Sequence, residues 1–342
     1  MDSSVSSVTL AYLLQNCRLP EFTADTLVIP VQNTTYANFL IRPDNCLIYE
    51  EAGIPLDLLV FRDQLNFEEL QKTKKLTTSL VDHHMLSAND KVLKDTVVQI
   101  IDHRPKDSSM SWNENHVEIN IQQVGSCSTL IAEKMLSLRE ENHLFCREIA
   151  YLIYETIIYD TIALLPEHGR TKELDIKIAE KLEHEYNFEE GRKVIYDKLW
   201  KAHNDVSNLT PQQMLRKDLK IIETIPVPGL PMLVETFLKI HHSYDAIRLL
   251  AEEHNVSLLV LIGLDASNDV RRDVAVYYKK DGEQMKDLLI NKLYDKESLR
   301  GYNFSFSEVD TDYNDIVCLR QGNTKLSRKQ IVPLIKDTVL GL

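Results

Sequence analysis

The chain predicts an α/β fold in two parts: a parallel-sheet domain, then a smaller mixed α/β domain. Three observations carry this expectation. Short apolar runs alternate with longer stretches of helical spacing through the first half. Those runs are apolar throughout, as suits strands covered on both faces. A polar stretch from about Glu183 to Asn208 then interrupts the pattern, and strands and helices resume beyond it in a different order.

Taken in order, "SVSSVTLAYLLQ" has helical apolar spacing, with serines suited to an N-terminus. "TLVIPVQ", "LDLLVFRD", "TTSLVDHH" and "TVVQIIDHR" read as strands. "SCSTLIAEKMLSLREE" and "LFCREIAYLIYETIIYDTIAL" read as helices. Beyond the polar stretch, "IIETIPVPGLP", "NVSLLVLIGLD" and "RRDVAVYYKK" are strand candidates. "VETFLKIHHSYDAIRLLAEEH" and "EQMKDLLINKLYD" are helix candidates. The expected domains are residues 1–187 and 206–342.

Composition narrows the function. The formal net charge of −13 argues against a nucleic-acid partner, which needs a basic face. The five cysteines are scattered and form no C-x-x-C pair, so a reducing, intracellular and cytoplasmic setting is expected. The opening "MDSSVSSVTLAYLLQ" lacks a basic segment before an apolar one, so no signal peptide is read there. No apolar run approaches the roughly 20 residues of a membrane helix, so no membrane partner is expected.

Three strand-like runs end in charged clusters, at Asp63, at Asp82–His84 and at Asp102–Arg104. Ligands of parallel α/β sheets bind outside the carboxyl ends of strands. Carboxylates gathered there repel one another unless a cation neutralises them. Aspartates with one or two imidazoles suit Mn²⁺ or Mg²⁺. Adjacent residues on an extended segment face opposite ways, so His83 and His84 are expected to divide the work, one toward metal and one toward substrate. Polar residues simply closing a strand are the plainer alternative. Asp160, in an apolar helical run, either pairs, binds metal or faces water. "VGSCST", holding Ser126, offers backbone N–H groups to an anion or is an ordinary helix cap. "MLRKDLK" and "KLSRKQIVP" are compact basic clusters, either solvated loops or phosphate ligands.

"VDHH", with "FRD" before it and "IDHRP" and "GSCST" after it, resembles the DHH phosphoesterase superfamily; "MLRKDLK" and "SRKQIVP" resemble its prune and exopolyphosphatase branch, related to family II inorganic pyrophosphatases. The resemblance implies a DHH domain holding two Mn²⁺ or Mg²⁺ ions, a DHH-associated domain supplying cations, and a site in the cleft between them. It implies metal ligation by Asp2, Asp63, His83 and Asp160, with Asp63 bridging. It implies catalytic roles for Asp82 and His84, with His84 facing the substrate, and phosphate binding by Lys220, Arg328 and Lys329. Asp102, His103, Arg104 and Ser126 are left with supporting roles. The family opens with a strand ending in D-x-D-S; Asp2 aligns with its second aspartate, so one of the two metal positions is expected to be impaired. The implied function is metal-dependent hydrolysis of phosphoanhydride bonds in a phosphate-rich small molecule: short polyphosphate, pyrophosphate or a cyclic nucleotide. A weakened scaffold on the same fold is the alternative, and an acidic chain fits poorly with an exonuclease.

Overall fold

A computed structural model describes residues 1–17, 25–109, 111–142, 146–267, 269–295 and 302–341. The chain divides into two compact units, Met1–His203 and Asn204–Leu342.

The first unit runs α1 (Asp2–Asn16), β1 (Val31–Gln32), α2 (Tyr36–Leu40), α3 (Pro43–Glu51), β2 (Val60–Phe61), α4 (Phe67–Thr73), β3 (Thr78–Val81), β4 (Val97–Asp102), β5 (Glu118–Ile121), α5 (Cys127–Asn142), α6 (Arg147–Asp160), α7 (Glu173–Tyr186) and α8 (Arg192–Asn204). All its strand pairs are parallel, as expected, but they form two pieces: β1–β2 and β3–β4–β5. Two strands are far shorter than their apolar runs. Pro30 has no N–H to give a ladder, and pairing begins only at Val31. Leu56–Leu58 form a 3-10 turn after Pro55, leaving Val60 and Phe61 to pair. Leu10 and Leu13 of α1, Ile131 and Met135 of α5, Ile153 and Ile157 of α6, and Ile178 and Leu182 of α7 share one core. The polar stretch is largely helical: α8 buries Ile195 and Leu199 in that core.

The second unit runs α9 (Pro211–Lys217), β6 (Leu219–Ile222), β7 (Ile225–Leu230), α10 (Val234–Leu238), α11 (Ser243–Glu253), β8 (Leu258–Asp265), β9 (Arg271–Tyr278), α12 (Glu283–Tyr294), β10 (Phe306–Val309), β11 (Ile316–Gln321) and α13 (Arg328–Val339). Its six strands lie in the order β10-β11-β9-β8-β7-β6, antiparallel except for β7 with β8. Strand β8 explains its continuous apolar reading. Leu259 and Leu261 face one core, while Leu258, Val260 and Ile262 face the other. The single helix expected over 234–254 is two, because His242 takes a left-handed φ of 64° between α10 and α11. Among the described residues, no helix is long and apolar enough to cross a membrane.

Candidate metal centre

The first unit gathers its charge where β3, β4, α1 and α5 end or begin. Asp2 lies in the first turn of α1, Asp82 directly follows β3, and His103 directly follows β4. One ligand atom from each of these three lies within 4.8 Å of the others; among the described residues no other group of three His, Cys, Asp or Glu donors is that compact. His103 Nε2 stands 3.3 Å from Asp82 Oδ1 and 3.6 Å from Asp2 Oδ2. The other ring nitrogen, Nδ1, is 3.0 Å from the Val124 carbonyl. That bond orients the ring so that Nε2 faces the carboxylates.

Asp82 holds a left-handed backbone with φ of 62°. Its Oδ1 is buried and accepts no hydrogen bond of good geometry. Arg104 Nη2 lies 3.6 Å from its Oδ2. Asp2 is held firmly. The backbone N–H groups of Cys127 and Ser128 donate to it at 2.7 and 2.8 Å, and Ser128 Oγ donates at 2.8 Å. The open N-terminus of α5 thus takes its anion from within the chain. Asp160, at the end of α6, accepts from Ser126 Oγ at 2.8 Å.

The electrostatics are those of crowded negative charge. Burial, then the charges of Asp2 and Asp82, push the Asp160 carboxyl up to about 8, against the pull of the N-terminal ammonium and Ser126. Burial works against charging His103, but the Asp82 carboxylate against it and the Asp2 charge raise its ring to about 9. The donor set fits a divalent cation: an orphaned carboxylate oxygen, further carboxylates and an imidazole with its ring oriented. Oxygen ligands with one nitrogen suit Mn²⁺ or Mg²⁺.

This set revises the expected one. Asp63 is exposed on a 3-10 turn, Arg62–Gln64, because β2 ends after two residues, and it stands outside the group. His83 also stands outside the group: its Nδ1 is 2.9 Å from the Val81 carbonyl, and its ring borders a cavity of about 410 Å³ beside Met1 and Gln32. Asp82 takes the central place given to Asp63, and His103 the place given to His83. His84 does not face open space. Buried at 6% exposure, it donates from Nδ1 to Asp102, accepts at Nε2 from the Asp107 N–H at 3.0 Å, and its carbonyl accepts from Trp112. Asp102 Oδ1 in turn accepts from the His103 and Arg104 N–H groups at 2.7 and 3.2 Å. The second histidine of "DHH" therefore braces the turn that presents His103. The signal for His103 was present: "IIDHR" ends a strand in Asp-His just as "LVDHH" does.

In the second unit, Lys220 is exposed on β6, opposite Val227 of β7, and Lys329 is exposed in the first turn of α13. Arg328 is already engaged. Its Nη1 donates to Asp218 Oδ2 at 2.6 Å and its Nη2 to the Val227 carbonyl at 2.7 Å. Its guanidinium fastens α13 to the β6–β7 hairpin, which revises its expected phosphate role.

Comparison with known proteins gives the family and the fold. Residues 197–338 match the DHHA2 domain model. The exopolyphosphatase PRUNE1 of Bos taurus is 30% identical over 99% of this chain and 73% of its own length. The human protein of that name is 29% identical over the same shares. A solved structure of a Methanococcus jannaschii protein assigned to the family II inorganic pyrophosphatases superposes with a TM-score of 0.55 at 18% identity, covering 98% of this chain and 95% of that one. The fold is that of a two-part DHH phosphoesterase. The chain belongs to the prune branch of that superfamily.

Proposed function

We propose that the chain is a metal-dependent phosphohydrolase of the prune type, cleaving phosphoanhydride bonds in short polyphosphate, with pyrophosphate as a close second substrate. The observation that carries this is the compact Asp2–Asp82–His103 group in a chain whose relatives bear the name exopolyphosphatase. Asp2, Asp82, His103 and Asp160 would hold the Mn²⁺ or Mg²⁺. A bound divalent cation supplies Lewis-acid activation and neutralises phosphoryl charge. The chain's own residues do the rest. Val124 holds the His103 ring toward the carboxylates, and His84 with Asp102 orients the turn behind it. Lys220 and Lys329 offer phosphate oxygens their charge. The metal-holding domain is residues 1–187, the phosphate-holding domain 206–342, and the setting is the reducing cytoplasm.

Phosphate release from tripolyphosphate, pyrophosphate and a cyclic nucleotide, each with Mn²⁺ and with Mg²⁺, tests this reading. Turnover of tripolyphosphate that vanishes in Asp82→Asn is the expected result. Tight Mn²⁺ binding without turnover of any of the three would leave a binding protein on this fold.

A further inference from the structure

Asp175 lies outside the candidate metal group yet is wholly buried, at 0% exposure. It sits in the first turn of α7, where its Oδ2 accepts the Lys172 N–H at 2.7 Å. A helix cap needs no more than that. The same oxygen, however, accepts the Gly125 N–H at 2.8 Å, and Oδ1 accepts from Thr129 Oγ1 at 2.6 Å. One carboxylate thus grips both ends of the five-residue turn 125–129.

The middle of that turn does a different job. Ser126 Oγ donates to Asp160, and Cys127 and Ser128 donate to Asp2. The turn is therefore held on one side by Asp175 and on the other holds Asp2, of the metal group, and Asp160. There is little slack in it. A Cβ on Gly125 would meet Thr161 Cγ2 at 2.5 Å, Asp175 Oδ2 at 2.9 Å and the Arg170 carbonyl at 3.0 Å.

We infer that Asp175 is a positioning residue for the cation site: through the 125–129 turn it sets where Asp2 and Asp160 present their oxygens. The inference rests on the reading of Asp2, Asp82, His103 and Asp160 as cation ligands. Without Asp175, the half-buried Gly125 N–H loses its acceptor and the turn relaxes toward another one. Residues behind metal ligands commonly change metal affinity about 10–100-fold when removed.

The test is Mn²⁺ titration calorimetry on the full chain, with thermal melting to confirm folding. Asp175→Ala should raise the Mn²⁺ dissociation constant about tenfold or more. Asp175→Asn should stay near wild type, because its amide oxygen still accepts from Gly125 and Lys172 while the Thr129 hydroxyl turns to accept from its NH₂. The control is Asp273→Ala in the second unit. Asp273 is equally buried and accepts from the Val234 and Glu235 N–H groups at the start of α10. It should destabilise the chain without moving Mn²⁺ affinity. A folded Asp175→Ala with unchanged affinity, or an equal shift in Asp273→Ala, overturns the inference. If Asp175→Ala does not fold, Thr129→Val decides: a weakened Mn²⁺ affinity supports the inference and an unchanged one overturns it. Mn²⁺ binding that survives Asp82→Asn defeats the metal-centre reading and this inference with it. Binding lost in Asp82→Asn but kept in Asp175→Ala defeats the inference alone.

Discussion

At Asp82, strain and charge meet in one residue. A non-glycine residue in the left-handed region costs on the order of 1–3 kcal/mol unless its surroundings compensate. Here a divalent cation held together with Asp2 and His103 would supply the compensation. Asparagine tolerates the left-handed region well, so Asp82→Asn keeps the backbone while removing one negative charge. Mn²⁺ affinity should fall by at least about tenfold, and Mn²⁺ should no longer raise the melting temperature. Titration calorimetry and melting curves with and without Mn²⁺ read both effects; an unchanged affinity, or a melting temperature that Mn²⁺ still raises, would contradict them. His84 makes the complementary case. His84→Ala leaves Asp102 buried without its imidazole, which should cost about 3 kcal/mol in denaturant unfolding. The sequence announced both histidines of "VDHH" but not what they touch. Their partners, Val81 for one and Asp102 with Asp107 for the other, depend on how β3 and β4 align, and periodicity does not encode that register.

At the scale of elements, the clamp between α6 and α8 is the feature that apolar spacing hid. Glu155 is buried in α6, and Lys198 of α8 reaches it at 2.8 Å while also meeting Glu51 at 2.7 Å and Glu190 at 3.5 Å. Tyr151 donates to Glu190. Burial pushes the Glu155 carboxyl up to about 7; Lys198 opposes this, and Glu51 and Glu190 add to it. A folded-state value above the unfolded one means the folded chain binds the proton more tightly. That stabilisation is fully present below about 4.5 and is lost as pH rises through about 7. Glu155→Gln should flatten this part of the stability profile. Urea unfolding at pH 5, 6.5 and 8 on both proteins measures it, and parallel profiles would refute it. Element existence was legible where apolar runs were long, as in α1, α5, α6, β8 and β9. It was not legible for β10, whose Phe306–Val309 run is half polar and pairs only because β11 lies beside it. Strand lengths failed at Pro30 and Pro55, where proline chemistry overrode hydrophobicity.

For the whole molecule, the central tension is charge. A chain with 52 acidic and 39 basic residues repels a polyphosphate at long range, so its affinity must come from local cations. A bound divalent cation would neutralise the first unit's clustered carboxylates, and the second unit carries exposed lysines of its own. The three basic residues expected there part company. Arg328 spends its fork on Asp218 and Val227, whereas Lys220 and Lys329 stand exposed near that same hairpin and helix start. Their roles should separate in the same way. Lys220→Ala with Lys329→Ala should raise KM for tripolyphosphate about tenfold or more, the weight of roughly 1.4 kcal/mol in binding. The Mn²⁺ dissociation constant should not move, because neither lysine belongs to the compact donor group. High salt should narrow the gap from wild type, since exposed charges act through a screened field. Arg328→Ala should instead lower the melting temperature, because it leaves the Val227 carbonyl and the Asp218 carboxylate without their donor. Steady-state kinetics at two ionic strengths, beside melting curves for the three variants, separates the two roles. If the double lysine variant keeps its KM while Arg328→Ala raises it without loss of stability, the guanidinium, and not the lysines, is what meets phosphate.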